Sequence, residues 1–273
     1  MTRAQSLIAA VTFLACTAFP QIGQAQGLLF HLPEDGTGVE YEGTIVQETI
    51  RDDIKAGKET ITKARMISIK SVGREDREFD GSVQPCRWIE IKVVTGDAGE
   101  AGINPGPVGS RIYKVLIPES KILATAADDS GVPNIMLPIV EGYRRSGEAE
   151  VVKIESQAIS TYPTICQLMN YPEQNVISAA SAPATKMTNA AFSAKHIKGS
   201  QVMESRDGRT TNEADFWVTT EVPFGLARWE VVVKREKKES AATRDDFTEF
   251  STTKSVMSVR RILNNVESEL VTN

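Results

Sequence analysis

The chain has 273 residues, with 31 Lys and Arg against 36 Asp and Glu and a formal net charge of -5. An acidic balance without a basic cluster argues against nucleic acid as a partner, because phosphates call for concentrated Lys and Arg. Two histidines and three cysteines leave little for a metal centre, while the length suffices to bury a full core as one β-rich domain or as two small ones.

Residues 1–25 read as an export signal. Met1 to Ser6 is short and polar with one positive charge, Arg3, and Leu7 to Phe19 is apolar and uncharged. Pro20 stops any helix, and Gly23 and Ala25 are small residues two apart, so cleavage is expected after Ala25. The apolar stretch is too short for a bilayer core of about 30 Å. Residues 26–273 are therefore expected as a single periplasmic or secreted domain. Phe13-Leu14-Ala15-Cys16 resembles the lipobox of bacterial lipoproteins, and a lipidated Cys16 is the alternative. Membrane association is expected only in that case.

Period-two alternation dominates the rest of the chain. Val39, Tyr41 and Ile45 share one face of a strand, with Glu40, Glu42 and Thr44 on the other. Thr60 to Val72 places Ile61, Ile67 and Ile69 together, and Arg87 to Val94 does the same with Ile89, Ile91 and Val93. Arg111 to Ile117 continues the pattern with Tyr113, Val115 and Ile117. Each pattern suits a half-buried antiparallel strand. Between the last two, Gly96 to Gly109 has five glycines and two prolines and reads as an exposed loop; the P-loop pattern is absent.

Glu148 to Ser156 reads as another strand, and Pro163 to Met169 as a two-turn helix bounded by prolines. Ser178 to Thr188 reads as a connection between two halves. Strand candidates resume at Ala191–Glu204, Thr211–Val222, Leu226–Lys234 and Phe247–Val259. Arg206 to Arg209 is read as a turn with Gly208 at a position that tolerates positive φ, and Val222-Pro223-Phe224-Gly225 as a second turn. The run Lys234 to Glu239 is broken by acids and reads as a charged strand end that discourages edge pairing.

After export, Cys86 and Cys166 remain. An even count in an oxidising compartment favours a bridge, closing a loop of about 80 residues worth roughly 4 to 5 kcal/mol on the chain-entropy model. Two buried free thiols, or one reactive thiol beside a base, are the alternatives.

Catalytic equipment is sparse. His31 comes soon after the expected cleavage site and His196 lies on an alternating strand, both read as structural. Neither a Gly-x-Ser-x-Gly elbow nor a His-Glu-x-x-His helix occurs, and Asp128 to Gly131 and Glu34 to Gly36 lack calcium-loop spacing. No cofactor or metal is expected. Trp88, Tyr113, Trp217, Phe224 and Trp229 lie on or beside strands, and with Met136, Met169, Met187 and Met203 they form either plain core or the lining of an apolar groove.

The run Asp215 to Glu230, with an aromatic-rich strand, a Val-Pro-Phe-Gly turn and a returning strand, resembles a hairpin of the LolA/LppX-like superfamily. Leu29 to Gly36 also resembles the mature N-termini of secreted planctomycete-type bacterial proteins. The superfamily resemblance implies an unclosed antiparallel barrel with helices over its concave face, carrying lipoprotein acyl chains or lipids across an envelope.

The expected fold is mainly β (α+β), a curved antiparallel sheet forming an unclosed or half barrel with one or two short covering helices. The expected function is non-enzymatic: a monomer that binds a lipid, acyl chain or other hydrophobic partner on the concave face, through Trp88, Tyr113, Trp217, Phe224 and Trp229. An envelope interaction module with a filled core is the alternative. A carboxylate-dependent hydrolase is the third reading.

Overall fold

A computed structural model describes residues 30–107, 109–122, 137–156, 158–159, 168, 171, 173–181, 192–243 and 245–271. The expected signal, Cys16, Cys166 and the expected helix apart from Leu168 lie outside these residues, as do Asp128 to Gly131, Met136, Met169 and Met187.

The strands are β1 (Thr37–Ile50), β2 (Lys58–Phe79), β3 (Ser82–Gly99), β4 (Gly102–Asn104), β5 (Ser110–Pro118), β6 (Leu137–Pro138) and β7 (Glu141–Ser146). They continue as β8 (Val152–Lys153), β9 (Ala158–Ile159), β10 (Glu173–Ser181), β11 (Ser193–Glu204), β12 (Gly208–Val218), β13 (Leu226–Lys237) and β14 (Thr248–Asn264). Helix among the described residues is one α turn, α1 (Glu119–Ile122), and a single 3-10 turn at Pro223–Gly225.

One large antiparallel sheet runs in the order β10-β11-β12-β13-β14-β1-β2-β3-β5-β7-β8, with β4 paired to β3, and it does not close into a barrel. The pair β6–β9 stands apart. Most neighbours are sequential, as short connections favour, and the chain's two halves join where β1 pairs with β14.

Alternation decides which face is which. Val39, Tyr41, Ile67, Ile69, Ile89 and Ile91 are fully buried on one face, here the core face. Tyr41 lies opposite Val259, and the same parity brings in Met257, Trp229, Val231 and Phe216, all essentially buried. Each such side chain contributes roughly 1.5–3 kcal/mol on burial. The opposite, polar face carries Glu40, Glu42, Ser68, Lys70, Glu90 and Lys92.

Each end of the described chain is tied to the sheet by a buried charge. On the core face, Phe30 N–H donates to the Phe224 carbonyl at 2.7 Å, and its ring lies 5.7 Å from that of Phe216. The Arg87 guanidinium donates to the carbonyl of Pro33 (3.0 Å), to Ser71 Oγ (2.9 Å) and to Glu119 (3.1 Å). On the polar face, the segment after β14 folds back over β3. There the Glu90 carboxylate accepts from Ser268 Oγ (2.7 Å) and from the N–H groups of Glu269 (3.2 Å) and Leu270 (3.1 Å). Leu270 is fully buried, and Glu269 ion-pairs with Lys70 (2.6 Å) and Lys92 (2.5 Å).

Several expectations are corrected. The Gly96–Gly109 loop is in part a hairpin: Asp97, Ala98 and Gly99 of β3 pair with Asn104, Ile103 and Gly102 of β4. Its pairing is carried by backbone groups, which the Gly-rich composition concealed. Of the expected connection, Ser178 to Ser181 belong to β10, paired with β11, and 182–188 lie outside the described residues. Only Val152–Lys153 of the expected strand Glu148–Ser156 is a strand. The run Lys234 to Glu239 ends the interior strand β13, not a sheet edge, and Arg209 forks onto the Glu236 carboxylate at 2.7 and 2.8 Å. Gly208 does not adopt positive φ; Ser205 Oγ both donates to its carbonyl and accepts its N–H at 3.1 Å, closing that turn instead.

Cys86 is a free thiol. It is buried at the start of β3, where its Sγ donates to the Gln84 carbonyl at 3.5 Å, and burial pushes its pKa up. A buried, protonated thiol turned to its own strand is a small hydrophobe rather than half of a bridge.

Candidate functional site

The five aromatic residues expected to line one groove do not come together. Trp229 and Phe224 are fully buried in the core, and the Trp229 ring packs edge-on against Tyr41. Tyr113 is half-buried on the core-face parity of β5. Trp88 and Trp217 have the opposite parity and stand on β3 and β12, five strand steps apart. Trp88 donates to Glu75 at 3.0 Å and lies beside Tyr143 and Lys114.

Phe224 owes its burial to a turn. Gly225 N–H donates to the Val222 carbonyl at 2.8 Å, with Pro223 first in the bend and Phe224 at φ 65°, ψ -3°. That is type II geometry, in which the φ > 0 position ordinarily takes Gly. A phenylalanine there costs about 1–3 kcal/mol of backbone strain. The strain is offset by its burial and by the bond that its carbonyl accepts from Phe30.

The cavity of interest opens on the polar face. A groove of about 910 Å³ is bounded by β1, β2, β3, β13, β14 and the β3–β4 hairpin. Ala64, Met66, Val94 and Ile103 supply apolar surface; Arg228, Arg260, Glu42, Ser258 and Thr44 supply polar groups; and Ala101 and Gly102 form the hairpin's side. Gly43 and Arg65, of core-face parity, border it as well, and Arg65 Nε donates to Thr95 Oγ1 at 2.9 Å. The hairpin is tied down beside the groove by Lys63–Asp97 at 2.7 Å.

Register explains why these residues meet. His196, Trp217, Arg228, Ser258, Glu42, Met66 and Val94 lie opposite one another on successive strands from β11 to β3. With strands about 4.8 Å apart, they form one row across the polar face. At one end the His196 and Trp217 rings stack, centroids 4.5 Å apart and planes 5° from parallel. The Arg228 guanidinium lies 5.5 Å from the Trp217 ring, donates to Glu230 at 2.5 Å and approaches Ser258 Oγ at 3.4 Å. Arg260 is held by Glu40 at 3.2 Å and Glu42 at 3.8 Å.

Several titratable groups are tied into hydrogen bonds and ion pairs of the sheet. His196 Nε2 lies 2.7 Å from Asp215 Oδ1, which Lys198 also approaches at 3.6 Å. Burial holds His31 below its ordinary pKa. Burial alone would raise Asp35 and Glu269, but hydrogen bonds from Ser71 and Gly73, and from Lys70 and Lys92, outweigh it and hold both below the usual carboxylate range. The Arg209 fork lowers Glu236. Glu236 and Glu269 are ion-pair partners, and Asp35 is held by hydrogen bonds. Among the described residues no three His, Cys, Asp or Glu converge as a metal centre, and no helix is long and apolar enough to cross a membrane.

Alternation puts Met66, Val94 and Arg228 on the wetted parity of their strands, but sequence reasoning missed the groove they build. Compared with known proteins, the chain matches no family model and no curated protein.

Proposed function

We propose that this chain is a non-enzymatic binding protein of the cell envelope, holding a lipid, acyl chain or similar hydrophobic ligand. Its site is the groove on the polar face, not the apolar face. One observation carries this reading: a concavity of about 910 Å³ with Ala64, Met66, Val94 and Ile103 in its lining. Such a volume falls in the range typical of small-molecule sites, where an apolar lining is joined by a few polar groups. Export follows the expectation from residues 1–25.

A second reading has its own support. Phe224 and Trp229 have no exposed surface, so the core face at their positions is filled, as an interaction module without ligand requires. Native mass spectrometry of protein gently extracted from its own envelope separates the two. Co-purified lipid that disappears in the Thr44→Trp variant, whose exposed position borders the groove, supports the binding reading. Ligand-free protein under the same extraction supports the interaction module.

A further inference from the structure

The charge around the groove bears on what it holds. We infer, resting on the binding reading above, that the occupant is an anionic amphiphile, an apolar chain ending in a carboxylate or phosphate, and that Arg228 reads the head group.

The whole chain is acidic, at -5, yet the groove's border has three arginines against one glutamate. Of the three, Arg65 is engaged with Thr95 at core-face parity, and Arg260 is held between Glu40 and Glu42. Arg228 is paired with one carboxylate, Glu230, and lies against the Trp217 ring. A guanidinium has five N–H donors in a fixed fork, and its bonds here are one to Glu230 and a long one to Ser258, with Nε unpartnered. Donors remain on both terminal nitrogens for an anion's two oxygens.

The fork is also fixed in place. Trp217 covers it from one side, with the face of Trp217 stacked on His196 and His196 held by Asp215. A planar cation ordered before the ligand arrives loses little freedom on binding, which favours bidentate anion recognition. Trp217 is thus a positioning residue for Arg228. The apolar residues lie along the same row on β2 and β3, so the head sits at β13 and the chain runs across β14 and β1 toward Met66 and Val94.

The test is calorimetric titration of the full chain with dodecanoate, dodecyl phosphate and dodecanol, at low and high salt. Wild type is expected to bind at least one anion tenfold or more tighter than dodecanol, with the advantage falling at high salt. Preference for dodecanoate over dodecyl phosphate assigns a carboxylate source, and the reverse a phosphate. Arg228→Gln is expected to abolish the advantage without changing dodecanol binding, and Arg228→Lys to restore part of it. Trp217→Leu is expected to reduce the advantage and its salt dependence while dodecanol affinity holds; a merely structural role would weaken all three ligands together.

Equal binding of dodecanol and both anions by wild type, or an advantage that persists in Arg228→Gln, overturns the inference and leaves the groove reading standing. Failure of all three probes to bind overturns both. Thermal unfolding of each variant confirms that it is folded.

Discussion

The ring of Trp229 meets that of Tyr41 edge-on, with centroids 4.8 Å apart and planes at 69°. Both side chains are fully buried at the middle of the core face. Edge-to-face contact adds about 0.5–1.5 kcal/mol beyond area burial, so the pair belongs to the packed interior. Trp229→Ala is expected to lower stability by about 3–5 kcal/mol. Urea unfolding measures this; a loss under about 1 kcal/mol would mean that the indole sits in a loosely packed site.

A second stability prediction concerns the turn that buries Phe224. Gly225 has φ 88°, and a Cβ on it would meet Phe30 Cβ at 2.7 Å and His31 Nδ1 at 2.9 Å. Gly225→Ala is therefore strained twice, by conformation and by contact, and is expected to cost about 1–3 kcal/mol. Faster amide exchange at Phe30, whose N–H bonds to the Phe224 carbonyl, locates the damage.

The C-terminal segment should detach through Glu90. Its carboxylate is 1% exposed, accepts the N–H groups of Glu269 and Leu270, and lies 3.3 Å from Lys70. Removing one partner of a buried pair costs about 3–5 kcal/mol. Glu90→Gln is expected to lose stability of that order and to expose residues 266–271 to carboxypeptidase. Unchanged protection would place the anchor elsewhere, at Leu270.

His31 and Glu269 are two of the shifted groups that shape the acid side of the stability curve. His31 has a folded pKa below its ordinary 6.5, so the unfolded chain takes up the proton first and stability falls as pH drops through 6.5. Glu269 has a folded pKa below its ordinary 4.5; its contribution is present above 4.5 and is lost as pH falls through the lower folded value. Unfolding midpoints at about pH 7 and about pH 5 are expected to differ less in His31→Gln than in wild type. Glu269→Gln is expected to flatten the curve only below about pH 4.5.

Much of the sheet was legible because each half-buried strand writes its two faces into alternate residues. Val39 and Tyr41 against Glu40 and Glu42, or Trp229, Val231 and Val233 together, needed no partner to be read. The hairpin at Asp97–Asn104 was hidden because glycine writes no alternation, whatever its backbone pairs with. The groove was hidden for a different reason. Glu42, Met66, Val94, Arg228 and Ser258 are neighbours only through strand register, and each alone is an ordinary residue of a wetted face. For the aromatic residues, size and apolarity mark burial, and Trp229 and Phe224 follow the plain-core reading of the two that the sequence offered.

Which face of the sheet the ligand occupies decides between the polar groove and the aromatic core. Photo-crosslinking with a diazirine-bearing dodecanoate, followed by peptide mapping, reads that face out. Occupancy of the groove predicts labels at Ala64, Met66, Val94 and Ile103, lost in Thr44→Trp. Labels on Phe216, Phe224 or Trp229, retained in Thr44→Trp, would contradict it and return the site to the core face.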